Sequence, residues 1–358
     1  MMSTRTRMAD FYPDNNSLSD VTVKMLQEND PTCRALSLNL NRMEKEISPQ
    51  LAHWRESLFS FQVESWCDVI KSNEVVEEVS IDLSLTGMTI WKKDQIKMLL
   101  DAVASLPNLR KITIRQNNLG GMRRRLGTVE AITSAIRSCY STLEEFELWG
   151  QIIAPGVEHS LQKLLWSLHA CKRLELLKIH GFDLTSFHIS MILPLMKMPS
   201  LREFGLGNST GGFMGVADVL ATNTTLEKLT LSFMDVLDDD CCFALARALR
   251  CNTQLRALSL FNAAPSINIS ISGISLDGQT AFLQAIMTQN MTLHEFQTRG
   301  QVGAKLLMYL KLNKVGRRQL FEKREVTREL WVDKVTMSKE DVDCSFYFLT
   351  MNPAICTT

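Results

Sequence analysis

The sequence has no excess of either charge: 39 Lys and Arg offset 39 Asp and Glu, and the formal net charge is zero. Nucleic-acid and anionic-membrane surfaces ordinarily need a basic excess, so this balance argues against both as partners. Long apolar runs are also lacking. Ile189–Met196 comes nearest, and it is short and broken by Pro194, far from what spanning a bilayer requires. The first twenty residues carry arginines with no apolar stretch behind them, and Asp10, Asp14 and Asp20 disfavour a transit peptide; no secretory signal is expected. Catalytic motifs are missing as well. The six histidines (53, 159, 169, 180, 188, 294) are scattered, with no H-E-x-x-H or G-x-S-x-G, which predicts no enzyme activity, no metal and no cofactor. The nine cysteines are odd in number and form no C-x-x-C, so a cytoplasmic home is expected, with the nucleus the other reducing compartment.

What is there in quantity is one phrase. Three apolar residues in an L-x-x-L-x-L frame recur at Val76-Val79-Ile81, Leu109-Ile112-Ile114, Leu143-Phe146-Leu148, Leu174-Leu177-Ile179, Leu201-Phe204-Leu206, Leu226-Leu229-Leu231 and Leu255-Leu258-Leu260. A degraded eighth copy is Leu293-Phe296 with Thr298 in the last slot, and a weaker phrase at Leu36, Leu38 and Leu40 reads as an irregular first strand. The last two slots alternate as in a strand, and such a copy can bury its apolar face only against its neighbours. Between copies the apolar residues fall at helical spacing: Ile96, Leu99, Leu100, Val103; Val129, Ile132, Ile136; Leu161, Leu164, Leu165, Leu168; Phe243, Leu245, Ala246, Leu249. Asp238 to Asp240 stand where a helix should start, which favours capping over a metal site for these carboxylates. Cys139, Cys171 and Cys251 each precede a first-slot leucine by three or four residues, which predicts a small buried thiol at each helix end.

The return turns add a second signature. Asn223-Thr224-Thr225-Leu226, Asn252-Thr253-Gln254-Leu255 and Asn290-Met291-Thr292-Leu293 share an N-x-x-L form, and Leu106-Pro107-Asn108-Leu109 and Met198-Pro199-Ser200-Leu201 use proline instead. Strand, loop, long helix and N-x-x-L turn resemble the ribonuclease-inhibitor-like class of leucine-rich repeats over roughly residues 70 to 300. The resemblance implies an α/β leucine-rich repeat solenoid, a curved horseshoe with a parallel inner sheet, outer helices and helical end caps. The tail, Tyr309 to Arg317 with Trp331 and Phe346-Tyr347-Phe348-Leu349 to Asn352-Pro353, resembles the closing segment of uncharacterised repeat proteins expanded in unicellular algae, which implies shared architecture and brings no activity. The expected organisation is a mobile terminus over 1–18, an N-terminal cap over 19–72, the repeat array over 73–300 and a C-terminal cap over 301–358. Leu51, Trp54, Leu58 and Phe61, followed by Trp66, Val69 and Ile70, read as the cap helix.

A repeat array of this kind predicts a non-enzymatic, monomeric scaffold that binds a protein partner on its concave strand face. In the frame the leucines point inward, and the residue after the last one faces out: Asp82, Arg115, Trp149, His180, Gly207, Ser232, Phe261 and Arg299, then Gln116, Phe233 and Asn262. Trp149, His180, Phe233, Phe261, Asn262, Arg115 and Arg299 are the candidate contact residues, with the aromatics as exposed anchors. The acidic strands near Glu78 and Glu145 flank a basic one with Arg110, Lys111 and Arg115, an arrangement suited to sideways pairing and to steering a partner. The rival expectation is a GTPase regulator that presents Arg123-Arg124-Arg125 from a loop after Gly120-Gly121. Gly205-Leu206-Gly207 with Gly211 and Gly212 has the wrong spacing for a phosphate loop and reads as a flexible repeat loop.

Overall fold

The computed structural model describes residues 20–39, 55–83, 93–116, 122–150, 158–180, 186–209, 213–233, 239–262, 276–298, 304–322 and 326–353. The chain divides into two compact units, Met1–Leu143 and Glu144–Thr358. The first runs α1 (Asp20–Gln27), β1 (Ala35–Asn39), α2 (Arg55–Lys71), β2 (Glu78–Asp82), α3 (Lys93–Ala104), β3 (Lys111–Gln116) and α4 (Met122–Cys139). The second runs β4 (Glu145–Gly150), α5 (Glu158–His169), β5 (Leu176–His180), α6 (Ser186–Ile192) with a 3-10 turn over Leu193–Lys197, β6 (Glu203–Ser209), α7 (Phe213–Thr222), β7 (Lys228–Phe233), α8 (Asp239–Cys251), β8 (Ala257–Asn262), α9 (Leu276–Thr288), β9 (Glu295–Thr298), α10 (Ala304–Val315), α11 (Arg317–Glu322), α12 (Arg328–Met337) and α13 (Val342–Met351). Within each unit every strand is parallel to its neighbour and follows it in chain order, so the architecture is an α/β solenoid of leucine-rich repeats.

The L-x-x-L-x-L frame sets the register. In the first unit Leu36, Val79 and Ile112 lie side by side, as do Leu38, Ile81 and Ile114. In the second, one row runs Phe146, Leu177, Phe204, Leu229, Leu258, Phe296 and the next runs Leu148, Ile179, Leu206, Leu231, Leu260, Thr298. The interior members of both rows are buried, and so are the first-slot leucines 174, 201, 226, 255 and 293. Residues between them are half-buried on the other face, which is the period-two alternation of a strand with one dry side. The helices close the dry side with the stripes expected of them: Leu99, Leu100 and Val103 of α3 and Leu161, Leu164, Leu165 and Leu168 of α5 are all buried. Phe243 is the exception. It was expected in the buried stripe of α8, but it is 39% exposed because it lies one residue off the line of Cys242, Leu245, Ala246 and Leu249.

Two hydrogen-bond devices tie one repeat to the next. Ahead of each strand, one backbone carbonyl accepts from two successive amides of the following repeat. Glu144 O serves Glu175 and Leu176, Glu175 O serves Arg202 and Glu203, Arg202 O serves Glu227 and Lys228, and Glu227 O serves Arg256 and Ala257. The second device is the buried turn asparagine. Asn252 Nδ2 donates to Leu220 O and Asn223 O of the preceding repeat (2.8 and 2.9 Å), while its Oδ1 accepts from the amides of Gln254 and Leu255 (2.9 and 2.7 Å). Asn290 repeats this on Leu249 O and Asn252 O, Asn223 on Met196 O, and Asn73 on Leu26 O. Each side chain thus supplies a donor to carbonyls at a helix end or turn, where Leu26 O and Leu220 O take one backbone amide as well. Where the slot lacks asparagine, small or apolar residues fill it. Cys139 and Cys171 are buried there, with Sγ 3.3 and 3.4 Å from Ala135 O and Ser167 O. Cys251 departs from that expectation and is exposed, because the adjacent Asn252 takes the buried position.

The last repeat is finished by the same chemistry. Asn313 of α10 donates to Asn290 O and Leu293 O, one step further along the ladder. Arg317, 1% exposed, donates to Ile286 O, Met287 O and Asn290 O at the end of α9, and its guanidinium sits 4.9 Å from the centroid of the Tyr309 ring. Gly316 between them has φ +96°, a turn that a side chain would strain. Leu312, Leu320, Cys344 and Phe348 form a small core behind this contact, with Trp331 against it. Phe346 of α13 faces solvent.

Several expectations fall outside the described residues: the mobile terminus over 1–18, Leu51 and Trp54, the side chains of Leu58 and Phe61, and Leu40. Trp66, Val69 and Ile70 of α2 are buried. Arg123–Arg125 do not lie in a loop; the backbone is helical from Met122. Among the described residues no helix is long and apolar enough to cross a membrane, and no group of His, Cys, Asp or Glu could hold a metal ion.

Candidate functional site

The strand face turned away from the helices carries the side chains left out of the core. In the second unit three rows cross it. The first passes Glu145, Leu176, Glu203, Lys228 and Ala257; the second passes Glu147, Lys178, Gly205, Thr230 and Ser259. The third holds Trp149 beside His180 and Ser232 beside Phe261. Gly207 stands next to His180, with a register irregularity between Leu206 and Ser209.

Three strands build the centre of this face. His180 of β5 lies stacked on Trp149 of β4, ring centroids 4.2 Å apart and planes 14° from parallel. Its ring leans over β6, where glycine makes room. A Cβ at Gly207 would come 2.5 Å from His180 Nδ1 and 3.0 Å from its Cα, and one at Gly205 would come 2.9 Å from Nε2 and 2.8 Å from Lys178 Cγ. Glycine is needed at both positions for this close approach. These two glycines therefore belong to the strand, not to the flexible loop expected of them. Trp149 is fixed at its other edge, its Nε1 donating to Glu147 Oε2 at 3.0 Å. Beside the stack, Lys178 Nζ is 2.6 Å from Glu203 Oε1, and Lys228 approaches the other oxygen at 3.8 Å.

Burial changes the character of His180. It occupies an outward strand slot, yet it is 8% exposed and its Nε2 is buried with no hydrogen-bond partner in the structure. Burial pushes its pKa down from 6.5 to about 4, and the Lys178 charge pushes the same way. Below about 6.5 the unfolded histidine takes a proton that the folded one refuses, so stability falls between about pH 6.5 and pH 4 by on the order of 2–3 kcal/mol. His180→Leu should remove this component. Urea titrations of both chains at about pH 7 and pH 4 measure it, and equal losses in the two would contradict a neutral buried ring.

The seven sequence-derived contact residues are not brought together as a set. Trp149 and His180 touch. Phe261, two strands further on than Gly207, is half-buried in register with Ser232. Phe233 and Asn262 are paired in register at the ends of β7 and β8, their side chains outside the described set, and Arg299 is outside it altogether. Arg115 is exposed on β3 of the first unit in register with Asp82. Trp149 is not a freely exposed anchor, since His180 and Glu147 half-cover it. The sequence reading leaves out Lys178 and Glu203 and places Gly205 in a loop. The available signal was Gly-Leu-Gly with both glycines in outward slots of a strand, next to a histidine in the outward slot of the strand before.

Charge on this face is largely matched sideways. Glu78 lies opposite Lys111, Arg34 pairs with Glu77 at 3.6 Å, Arg256 with Glu227 at 3.7 Å, and Arg173 with Glu144. Glu78 and Lys111 are half-buried, whereas in the other three pairs the arginine is exposed, which leaves each of those worth from nothing to about 1 kcal/mol.

No family model matches the chain, and no curated protein does. Among solved structures, a chain in the complex of Rad7 and Elc1 from yeast is 15% identical with a TM-score of 0.45, the match covering 76% of this chain and 64% of that one. This chain therefore spans a little under two thirds of that neighbour. A psychrophilic family 10 endo-beta-1,4-xylanase aligns at 10% identity and a TM-score of 0.20, over 77% and 88% of the two chains. Likeness at this level says nothing of activity or partner, and the fold rests on the strands and helices described above.

Proposed function

We propose that the protein is a non-enzymatic interaction scaffold that holds a protein partner on the open strand face of its second unit, centred on Trp149 and His180. The observation that carries this reading is the Trp149–His180 stack seated on Gly205 and Gly207. An aromatic surface whose rotamers are already locked loses little side-chain entropy on binding. Around it lie the charged Lys178–Glu203–Lys228 group and the small polar floor of Thr230, Ser232 and Ser259, ending in Phe261. An aromatic centre with a polar rim is the usual anatomy of a protein interface. His180 is not offered as a catalytic base, because Trp149 covers one side of its ring and the β6 glycines crowd the other atoms. The arginine triplet, placed on a helix instead of an adaptable loop, has no observation favouring it as a GTPase contact.

A photo-crosslinking residue placed at Thr230 or Ser259 in the full chain should capture the partner from native extract, while one at Thr222 on α7 should not. Capture from Thr222 alone would contradict this placement. Lys228→Glu should mainly slow association and change its salt dependence, as expected for a rim charge that steers instead of holding.

A further inference from the structure

The helix side of the second unit carries a second surface, independent of the strand face. Asp240, Phe243, Arg247 and Arg250 of α8 recur at three- and four-residue spacing and form one outward stripe. With Met214 of α7 and Ala281 of α9 they line an open groove of about 570 Å³. The groove is polarised along its length. Asp240 stands at the N-terminal end of α8, Arg247 and Arg250 at the other, and Phe243, Ala246, Met214 and Ala281 form an apolar floor between. Phe243 and Met214 are 39% and 45% exposed. Among the described residues neither arginine has an ion pair or a side-chain hydrogen bond.

We infer that this groove docks an amphipathic helix of a partner protein, antiparallel to α8, with carboxylates in its first turn meeting Arg247 and Arg250 and a basic residue in its last turn meeting Asp240. Three points of physics select this occupant. Two unpartnered guanidinium groups at the rim of an apolar floor call for carboxylates. The stripe from Asp240 to Arg250 rises about 15 Å, the length of roughly three helical turns, so apolar side chains at i, i+3 or i+4 and i+7 would drop between Met214 and Phe243. The order acid, apolar, base is also the order a helix favours along its own dipole, and antiparallel docking sets opposite helix ends beside each other. Methionine and phenylalanine supply the adaptable and rigid parts of such a floor.

The test uses the full chain and two synthetic peptides of about 14 residues. One has Glu in the first turn, Leu at the three apolar positions and Lys in the last turn; the other has Glu and Lys exchanged. Affinity is read by fluorescence anisotropy, and alkylation of Cys241, which lines the groove, reports where the peptide sits. The first peptide should bind about tenfold more tightly than its charge-exchanged isomer. The preference should invert in Arg247→Glu/Arg250→Glu, which a difference in peptide helicity cannot mimic. Cys241 should be protected while exposed Cys251 reacts as before, and Trp149→Ala/Phe261→Ala should change nothing. Equal affinity for both peptides, no binding of either at about 1 mM, or a preference unmoved by the double variant would overturn the proposal. So would equal binding of a proline-broken peptide, which would assign an extended occupant, or self-association of the chain lost in the double variant, which would assign a second copy.

Discussion

Asn252→Ala should destabilise the second unit by about 3–5 kcal/mol, far more than a polar-to-alanine change usually costs, because one side chain serves four backbone groups, three of them in buried hydrogen bonds. The substitution orphans the carbonyl of Asn223 and the amides of Gln254 and Leu255, and leaves Leu220 O with the Asn223 amide as its remaining donor. Water does not easily replace it at a residue only 2% exposed. Thr253→Ala, one residue on and exposed, should stay within about 0.5 kcal/mol of the parent. Asn290 donates to Asn252 O, so the two sites belong to one network and Asn252→Ala/Asn290→Ala should fall short of the sum of the single changes. Chemical unfolding of the parent, the three single variants and the double variant measures all of this. An Asn252→Ala cost under about 1 kcal/mol would mean that the turn finds other partners and the ladder contributes little.

Leu229→Ala is the second large effect. Leu229 sits between Phe204 and Leu258 in the central core row and is 1% exposed. Cavity formation there should cost about 2–5 kcal/mol, toward the upper end because phenylalanine and leucine rows on a fixed sheet cannot collapse inward. Since each repeat touches only its neighbours, the loss should appear first as faster hydrogen exchange in β6, β7 and β8 and in the helices α7 and α8 that cover them. Faster exchange confined to α10–α13, with β6–β8 unchanged, would contradict nearest-neighbour coupling.

These two sites differ in how they can be read before a structure exists. Leu229 is legible because L-x-x-L-x-L marks it locally, and the frame places every strand from β2 to β9 within a few residues. The N-x-x-L turn marks Asn252 as special, and the amides it accepts from are two and three residues away. The carbonyls it donates to are 29 and 32 residues distant and belong to the preceding repeat, so half its role depends on stacking. Asn313 and Arg317 escape altogether: they continue the ladder from a helix, where no turn motif announces them. The strand-face site is hidden for a related reason. His180 becomes buried through what β6 lacks, Cβ atoms at Gly205 and Gly207, and through Trp149 on the strand before, neither of which is its neighbour in sequence. Phe243 shows the limit of helical periodicity, since a one-residue offset on α8 moves a ring from the core to the surface.

The most direct test of the strand-face assignment is the dissociation rate of the partner captured at Ser259, compared between the parent chain and Trp149→Ala/Phe261→Ala. Both side chains are only half-buried, so the double variant should keep its fold, checked by its unfolding midpoint. The dissociation rate should rise about tenfold or more, with association changed little, as expected for aromatic anchors at the centre of an interface. An unchanged dissociation rate in a folded double variant would contradict the account.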